Sequence, residues 1–468
     1  MNRSLFFVIL SITQIFAACN DKSDIKPNIL FIAVDDLRPE LNCFGAEQIH
    51  SPGIDKLARE GIIFPKAYCQ VPVCGASRAS LLTGIRPKRE RFIDYDTWAE
   101  KDAPGILSLP EHFKNNGYTT ISNGKVFHHT RDLIQSWSEE PWQPRSSMEG
   151  VWRDYQLPEN QKFALENNNS GPILEMKEGP DNMYKDGKVA EKSISDLKRL
   201  KTEGKPFFLA VGFFKPHLPF NAPLKYFNMY EESDLIIADN PNPPENAPRK
   251  AIHNFGELRA YKDIPETGPL NDSMNQLMVH GYYASLSYTD AQIEKVLNEL
   301  ERLELDQNTI VILWGDHGWN LGEHGLWCKH CLFETSLNAP IIMKVPGMKG
   351  NRSSNVFFEF LDIYPTLCDL TGLPLPDHLQ GRSIVPILKD QDLPDKEYTY
   401  SRWFDGESVK DNRYRYTEWL DEEGKVSARM LYNHQLDPGE NINIAELPEN
   451  QDLINKFSDQ LKSIRSLP

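Results

Sequence analysis

Four short runs of this chain switch from mostly uncharged and apolar to sharply polar within a few residues. Asn28-Ile-Leu-Phe-Ile-Ala-Val34 leads into Asp35-Asp36, and Tyr118-Thr-Thr-Ile-Ser122 into Asn123-Gly-Lys125-Val-Phe-His128. Pro206-Phe-Phe-Leu-Ala-Val211 leads into Lys215-Pro-His217, and Thr309-Ile-Val-Ile-Leu-Trp314 into Gly315-Asp316-His317. Runs that stay apolar without alternating suit strands covered on both faces, as in a parallel sheet. Helix-like segments at 53–60, 109–115, 183–200 and 282–303 lie between them, and that alternation predicts an α/β fold. Ligands of open α/β sheets bind beyond the carboxyl ends of the strands. Here all four runs place acids, lysines or histidines at that end, which predicts one active site along one sheet edge.

The chain has 468 residues, more than one compact core usually holds, so two unequal domains are expected. We expect a catalytic domain over 26–392 and a smaller C-terminal α+β subdomain over 393–468. In the latter, strands at 397–404, 414–419 and 429–432 are closed by a helix at 451–463. The formal net charge of −16 argues against a nucleic-acid partner. It also means that an anionic substrate must be received by a local positive pocket. Residues 5–16 are apolar but too few to span a bilayer, and they end in Phe16-Ala-Ala-Cys19. That pattern predicts a signal peptide over 1–18 and a lipid on Cys19. The protein is then exported and tethered to a bacterial membrane only through its acyl chains. Plain secretion after Ala18 is the alternative.

Val71-Pro-Val-Cys74-Gly-Ala-Ser-Arg78 sets a thiol at the start of a short helix-like run with a guanidinium four residues on. A thiol so placed faces anions and has the surroundings of a nucleophile. Taken alone, Cys74 reads equally as a small buried hydrophobe. Asp35, Asp36 and Asp316 gather three acids at two strand ends and would repel one another without a cation, which suits calcium or magnesium. His317 is a neutral imidazole able to join them. Arg78, Lys125, Lys215 and Lys329 supply positive donors for an oxyanion, and His128 and His217 supply groups that titrate near neutrality. Cys328-x-x-Cys331 reads as a disulfide, a redox pair or two buried thiols, while Cys43, Cys69 and Cys368 read as core. Trp137, Trp142 and Trp152 punctuate a polar insertion at 131–180, as sugar platforms or as anchors.

Several of these stretches together resemble the type I, formylglycine-dependent sulfatases, and most of all their iduronate-2-sulfatase-like branch. They are Ala33-Val-Asp-Asp-Leu-Arg-Pro39, Cys74 to Arg78, Gly124-Lys-Val-Phe-His128, Lys215-Pro-His-Leu-Pro219 and Asp316-His-Gly-Trp-Asn-Leu-Gly-Glu-His-Gly325 with Trp327-Cys-Lys329. Leu379-Gln-Gly-Arg-Ser-Ile-Val-Pro-Ile-Leu388 resembles the end of that family's catalytic domain, and Asp437-Pro-Gly-Glu440-Asn441 its C-terminal turn. Ala76 stands where proline is usual. The resemblance implies the alkaline-phosphatase-like sulfatase fold, a large mostly parallel sheet sandwiched by helices. It implies a hydrolase of sulfate esters on sulfated polysaccharide fragments, whether uronate 2-O-sulfates of glycosaminoglycans or an algal polysaccharide such as ulvan. It also implies calcium held by Asp35, Asp36, Asp316 and His317 with Cys74, and conversion of Cys74 to formylglycine by a maturation enzyme. Carried over in the same way, Arg78 and Lys125 hold the formylglycine hydrate and the sulfate. Lys329 contacts the sulfate, His217 protonates the leaving hydroxyl and His128 assists release of sulfate. The alternatives are a phosphomonoester or phosphonate hydrolase of the same fold, and a non-catalytic lipoprotein that binds sulfated glycans. Arg86, Lys88, Arg89 and Arg91 form a basic cluster on an otherwise acidic chain, which reads either as a solvated loop or as a patch in which some members receive a uronate carboxylate or a neighbouring sulfate of the substrate.

Overall fold

The computed structural model describes residues 26–146, 153–254 and 256–466. The expected signal peptide, Cys19 and Trp152 lie outside those residues. A seven-stranded sheet forms the centre. Its strands are β1 (Asn28–Val34), β2 (Ile62–Ile63), β3 (Thr119–Gly124), β4 (Phe207–Phe213), β5 (Thr309–Gly315), β6 (Ile341–Lys344) and β7 (Arg352–Ser353). They run in the order β7-β2-β6-β5-β1-β4-β3. Every residue of β1, β4 and β5 is buried, which is why those runs carry no alternation. β1 pairs in parallel with β4 (Ile29 opposite Phe208) and with β5 (Ile29 opposite Ile310), and β3 is parallel to β4. The polar tails of all four strands therefore leave the sheet on the same side. β6 runs antiparallel to both of its neighbours, so the sheet is mixed toward that edge.

Helices α1 (Pro52–Glu60), α2 (Cys74–Thr83), α3 (Leu109–Asn115), α4 (Lys185–Glu203), α5 (Asp272–Arg302) and α6 (Ile363–Thr371) flank the sheet. α5 starts well before the residue 282 expected from sequence. Asn271 caps it by accepting a bond from the Met274 N–H, and Gly281 sits within its length. A glycine inside a helical pattern reads as a break, but here it allows close packing. A Cβ at Gly281 would lie 2.7 Å from the Phe220 ring. α2 is buried along its whole length and ends at Gly84, whose φ of 72° suits glycine.

The C-terminal part is an antiparallel meander of β8 (Thr399–Trp403), β9 (Gly406–Lys410), β10 (Tyr414–Leu420) and β11 (Val426–Asn433), covered by α7 (Gln451–Arg465). β9 was not read from sequence because Gly-Glu-Ser-Val-Lys is short and mostly polar. Phe457 and Leu461 of α7 pack with Val409, Tyr416 and Leu431 in a small separate core. Burial of each such side chain stabilises by about 1.5–3 kcal/mol. Glu440, in the turn read from sequence, joins this part to the main body. It accepts the Glu334 N–H (2.7 Å) and pairs with Arg415 (3.0 Å) and His434 (2.9 Å). Trp137 is buried in the main core, and Trp142 bonds its backbone to the β3 edge, so both anchor the insertion. Cys328 and Cys331 are buried free thiols.

Candidate active site

Cys74 is the first residue of α2 and lies beside the carboxyl ends of β1, β3 and β5. Gly75 is required there, since a Cβ would come within 2.2 Å of the Tyr95 carbonyl. Asp35 and Asp36 leave β1, and Asp36 turns at once into the left-handed region (φ 60°), which a short acidic residue tolerates. Its N–H then donates to Asp316 Oδ1 (2.9 Å) at the end of β5, tying the two strand ends together. Oxygens of Asp35, Asp36 and Asp316 lie within 4.8 Å of one another, and all three residues are buried. The same holds for donor atoms of Asp36, Cys74 and His317, and of Asp35, Cys74 and His217.

The positive groups are interleaved with these acids. Arg78 is fully buried and bridges Asp316 (Nε, 2.8 Å) and Asp35 (Nη2, 3.1 Å), with its remaining donors on the Lys125 and Val126 carbonyls. Lys125 donates to Asp35. Lys329 donates to both oxygens of Asp36 (3.1 Å each) and packs over the Trp319 ring (4.9 Å). Burial works to raise the Asp35 carboxyl, but Lys125, His217 and Arg78 outweigh it and hold the group well below its usual range. For Asp36 burial wins over the attraction of Lys329, and its carboxyl is raised. Burial, reinforced by the charge of Asp35, also pushes the Cys74 thiol well above its ordinary value. The unmodified side chain is therefore a neutral thiol, contrary to the expectation of an activated sulfur. Arg78, which was to lower it, is spent on carboxylates and carbonyls.

The two histidines differ in their hydrogen bonds. His317 donates from Nδ1 to the Gly318 carbonyl (2.8 Å), and its Nε2 faces Cys74 Sγ (3.5 Å) and Asp36 Oδ1 (3.4 Å). An ion placed there would be shared by the imidazole and the carboxylate. With three buried acids gathered beside Cys74 and His317, the donor set fits a hard divalent ion. His217 donates from Nδ1 to the Leu218 carbonyl (2.6 Å) and presents Nε2 to Glu257 Oε1 (3.1 Å). Both of its nitrogens thus face acceptors. His128 shares the cavity, and burial first, then the Lys125 charge, lowers its pKa to about 2. Lys215 turns inward onto the His217 and Pro219 carbonyls and braces that loop.

The catalytic and metal-ligating residues predicted from sequence converge on one cavity of about 700 Å³. Asp35, Cys74, Lys125, His128, His217 and Lys329 line it, with Arg78, Asp36, Asp316 and His317 buried beneath. Glu257 was missed. It lies in the short helix Gly256–Arg259, pairs with Lys329 (2.9 Å) as well as His217, and these cations overcome burial to hold its carboxyl well below normal. A lone acid in an irregular stretch gives no periodicity or spacing by which to find it. Arg153 and Lys185 were also missed; they line the cavity together with Asp154 and Asp186. The basic cluster after α2 does not line this cavity. Arg86 forks onto Glu359 (2.7 Å twice), and its neighbours line a different hollow.

This is the fold and site of an alkaline-phosphatase-like hydrolase, built to hold an oxyanion between cations at the end of a parallel sheet. Residues 27–373 match the family description "Sulfatase", and residues 322–466 match "N-sulphoglucosamine sulphohydrolase, C-terminal". Iduronate 2-sulfatase of Homo sapiens is 32% identical over 419 residues, spanning 79% of this chain and 76% of that protein. An "Ulvan-active sulfatase" of Formosa agariphila is 26% identical over 444 residues, spanning 86% of this chain and 79% of that one. The phosphonate monoester hydrolase of Agrobacterium radiobacter superposes with a TM-score of 0.75 at 20% identity, over 94% of this chain and 96% of that chain. That last likeness is one of fold alone and does not choose the ester. The family match does: the chain belongs to the sulfatase family and is a sulfuric ester hydrolase.

Proposed function

We propose that the enzyme removes sulfate from saccharides derived from sulfated polysaccharides, with calcium bound at the floor of the cavity and Cys74 converted to formylglycine. The observation that carries this reading is Cys74 itself. It is a neutral thiol, yet it opens a buried helix between His317 and a lattice of three acids and three cations. A thiolate enzyme would lower that pKa, whereas a residue awaiting conversion need not. Asp35, Asp36, Asp316 and His317 would hold calcium together with the modified residue. There the ion would polarise the sulfate and favour ionisation of the aldehyde hydrate that serves as nucleophile.

The chain's own residues supply the rest. Lys125 and Lys329 offer ammonium protons to the sulfate oxygens, and Arg78 locks the two carboxylates whose spacing sets the pocket. His217 presents Nε2 at the cavity wall, where it can pass a proton to the leaving sugar oxygen. His128, kept neutral, is placed to accept a proton when sulfate is expelled, and a bound anion that offsets Lys125 strengthens it as a base. Arg153 and Lys185 in the cavity lining, beside Asp154 and Asp186, are cations that a carboxylate-bearing sugar can meet. With the relatives named above, this favours a uronate 2-O-sulfate of a glycosaminoglycan, or ulvan. A formylglycine-generating enzyme is the required maturation partner, and Cys19 would tether the exported enzyme to the membrane.

Cys74→Ala should abolish hydrolysis of sulfated oligosaccharides and leave the melting temperature within a few degrees of the parent. An active Cys74→Ala protein would overturn the mechanism. Intact-mass analysis of protein from a host with the maturation system should show Cys74 without its sulfur. A free thiol in active protein excludes conversion, while an inactive thiol form favours a glycan-binding role. Faster turnover of aryl phosphate or phosphonate than of aryl sulfate would favour the phosphohydrolase reading of the same fold.

A further inference from the structure

A second hollow, of about 440 Å³, lies where the loop after α2 meets β8 and β9. Its lining includes Lys88, Arg89, Arg91 and Arg402, against the exposed Glu90 and against Asp405, which is paired with Lys250 (2.6 Å) outside this set. Arg86 and Arg465 also line it, but their charges are met by Glu359, Glu407 and Glu418. The first four have no such partner: among the described residues none forms an ion pair. Arg402 is the informative one. It is only 6% exposed, and its guanidinium donates to the Phe404 carbonyl (2.7 Å). Glu407 faces it across the β8–β9 ladder but is taken by Arg465 and the Tyr400 hydroxyl. A buried guanidinium without a carboxylate is costly unless an anion comes to it from outside. On a chain of net charge −16 this concentration of unpaired positive charge stands out.

Two connections place this hollow beside the catalytic cavity. Arg91 lines the hollow and Tyr95 lines the catalytic cavity, and four residues of chain reach at most about 15 Å. Along β8 successive side chains face opposite ways, so Arg402 enters the hollow while Trp403 stacks on His330 (5.2 Å), which lines the catalytic cavity. The helix α2 sets the same scale. Cys74 stands at one end, the basic turn follows the other, and the helix between them is about 14 Å long. One monosaccharide cannot touch both places. Tyr95 and Phe404, on the two connecting segments, are 63% and 49% exposed, and they present ring faces of the kind on which sugars stack.

We infer that this hollow is a second anion subsite, which receives a sulfate borne by a sugar of the substrate chain other than the one being hydrolysed. The inference rests on the proposed action on sulfated saccharides, and it adds that the enzyme grips an oligosaccharide at two charged points. The test uses the full chain with Lys88→Gln and Arg89→Gln combined, both exposed and remote from the chemistry. In the Cys74→Ala background, binding of a heparin-derived hexasaccharide should weaken about tenfold on adding these changes. A hyaluronan hexasaccharide, with carboxylates but no sulfate, should bind weakly to both proteins. In the active enzyme KM for the sulfated hexasaccharide should rise by a similar factor at unchanged kcat, while both constants for an aryl sulfate stay the same. Equal hexasaccharide affinity with and without the two lysine and arginine changes overturns the subsite, as does tight hyaluronan binding. A parent enzyme inactive on every sulfate ester would instead overturn the proposed function, and the binding comparison would still decide the subsite.

Discussion

At the scale of single residues, the site is governed by which charges lie within reach of which protons. Glu257 shows this best. It contacts both His217, the proposed acid, and Lys329, so Glu257→Gln removes the negative charge that both of them face while keeping a similar shape. Steady-state kinetics should show kcat lowered by about tenfold to a hundredfold with the melting temperature little changed. An unaltered kcat would mean that Leu218 alone positions the ring. His128 predicts a pH effect on stability. Its pKa is about 2 in the fold and near 6.5 when free. Between those values the unfolded chain binds more protons than the folded one, so stability rises with pH across the window and falls as acid is added. His128→Gln should therefore flatten the loss of melting temperature between pH 7 and about pH 5, and an unchanged slope would place that loss on other groups.

At the scale of elements, the strands deliver the chemistry because their ends are held closer than side chains usually allow. Gly212 near the end of β4 is an instance. A Cβ there would sit 2.1 Å from the Lys125 carbonyl, so the backbone after β3 can approach only a glycine. Gly212→Ala should cost about 1–3 kcal/mol in urea denaturation, as overpacked positions do, and should also lower kcat by displacing Lys125. Stability lost with kcat intact would show that the close approach serves the sheet and not the site. α2 depends on fit in a similar way. It is buried on every side, and Arg78 is tolerated inside only because two carboxylates and two carbonyls receive its protons.

At the scale of the whole molecule, the proposed calcium joins folding to activity. Three buried acids from β1 and β5 meet at one point, so an ion there links two strands and α2. A ligand present at a hundred times its dissociation constant adds about 2.7 kcal/mol. Removing divalent ions from matured enzyme with a chelator should lower the melting temperature by a few degrees and stop turnover, and added calcium should restore both. A melting temperature indifferent to chelation and to calcium would argue against an ion at these acids. The acidic surface and the two positive hollows also belong to this scale, since a −16 protein draws a polyanion only where its cations are gathered.

Much of this was legible along the chain, for an identifiable reason. The runs ending at Val34, Phe213 and Gly315 are almost wholly apolar because both sheet faces are covered, and composition alone reports that; the run ending at Gly124 is buried but rich in hydroxyl groups. Their polar tails follow at once in sequence, so the acids, lysines and histidines of the site could be found by position. What the chain could not announce are contacts between segments without pattern. Glu257 comes from an irregular stretch, β9 is short and polar, and the first turns of α5 are masked by a glycine that serves packing. The protonation of Cys74 was likewise decided only in three dimensions. Helix position and a nearby arginine suggest a thiolate, but burial and Asp35 act through space, and Arg78 has other partners there. The destination of the basic turn at 86–91 was settled in the same way. Sequence determines that the charge exists, and only the packing of that loop against β8 and β9 decides which cavity it faces.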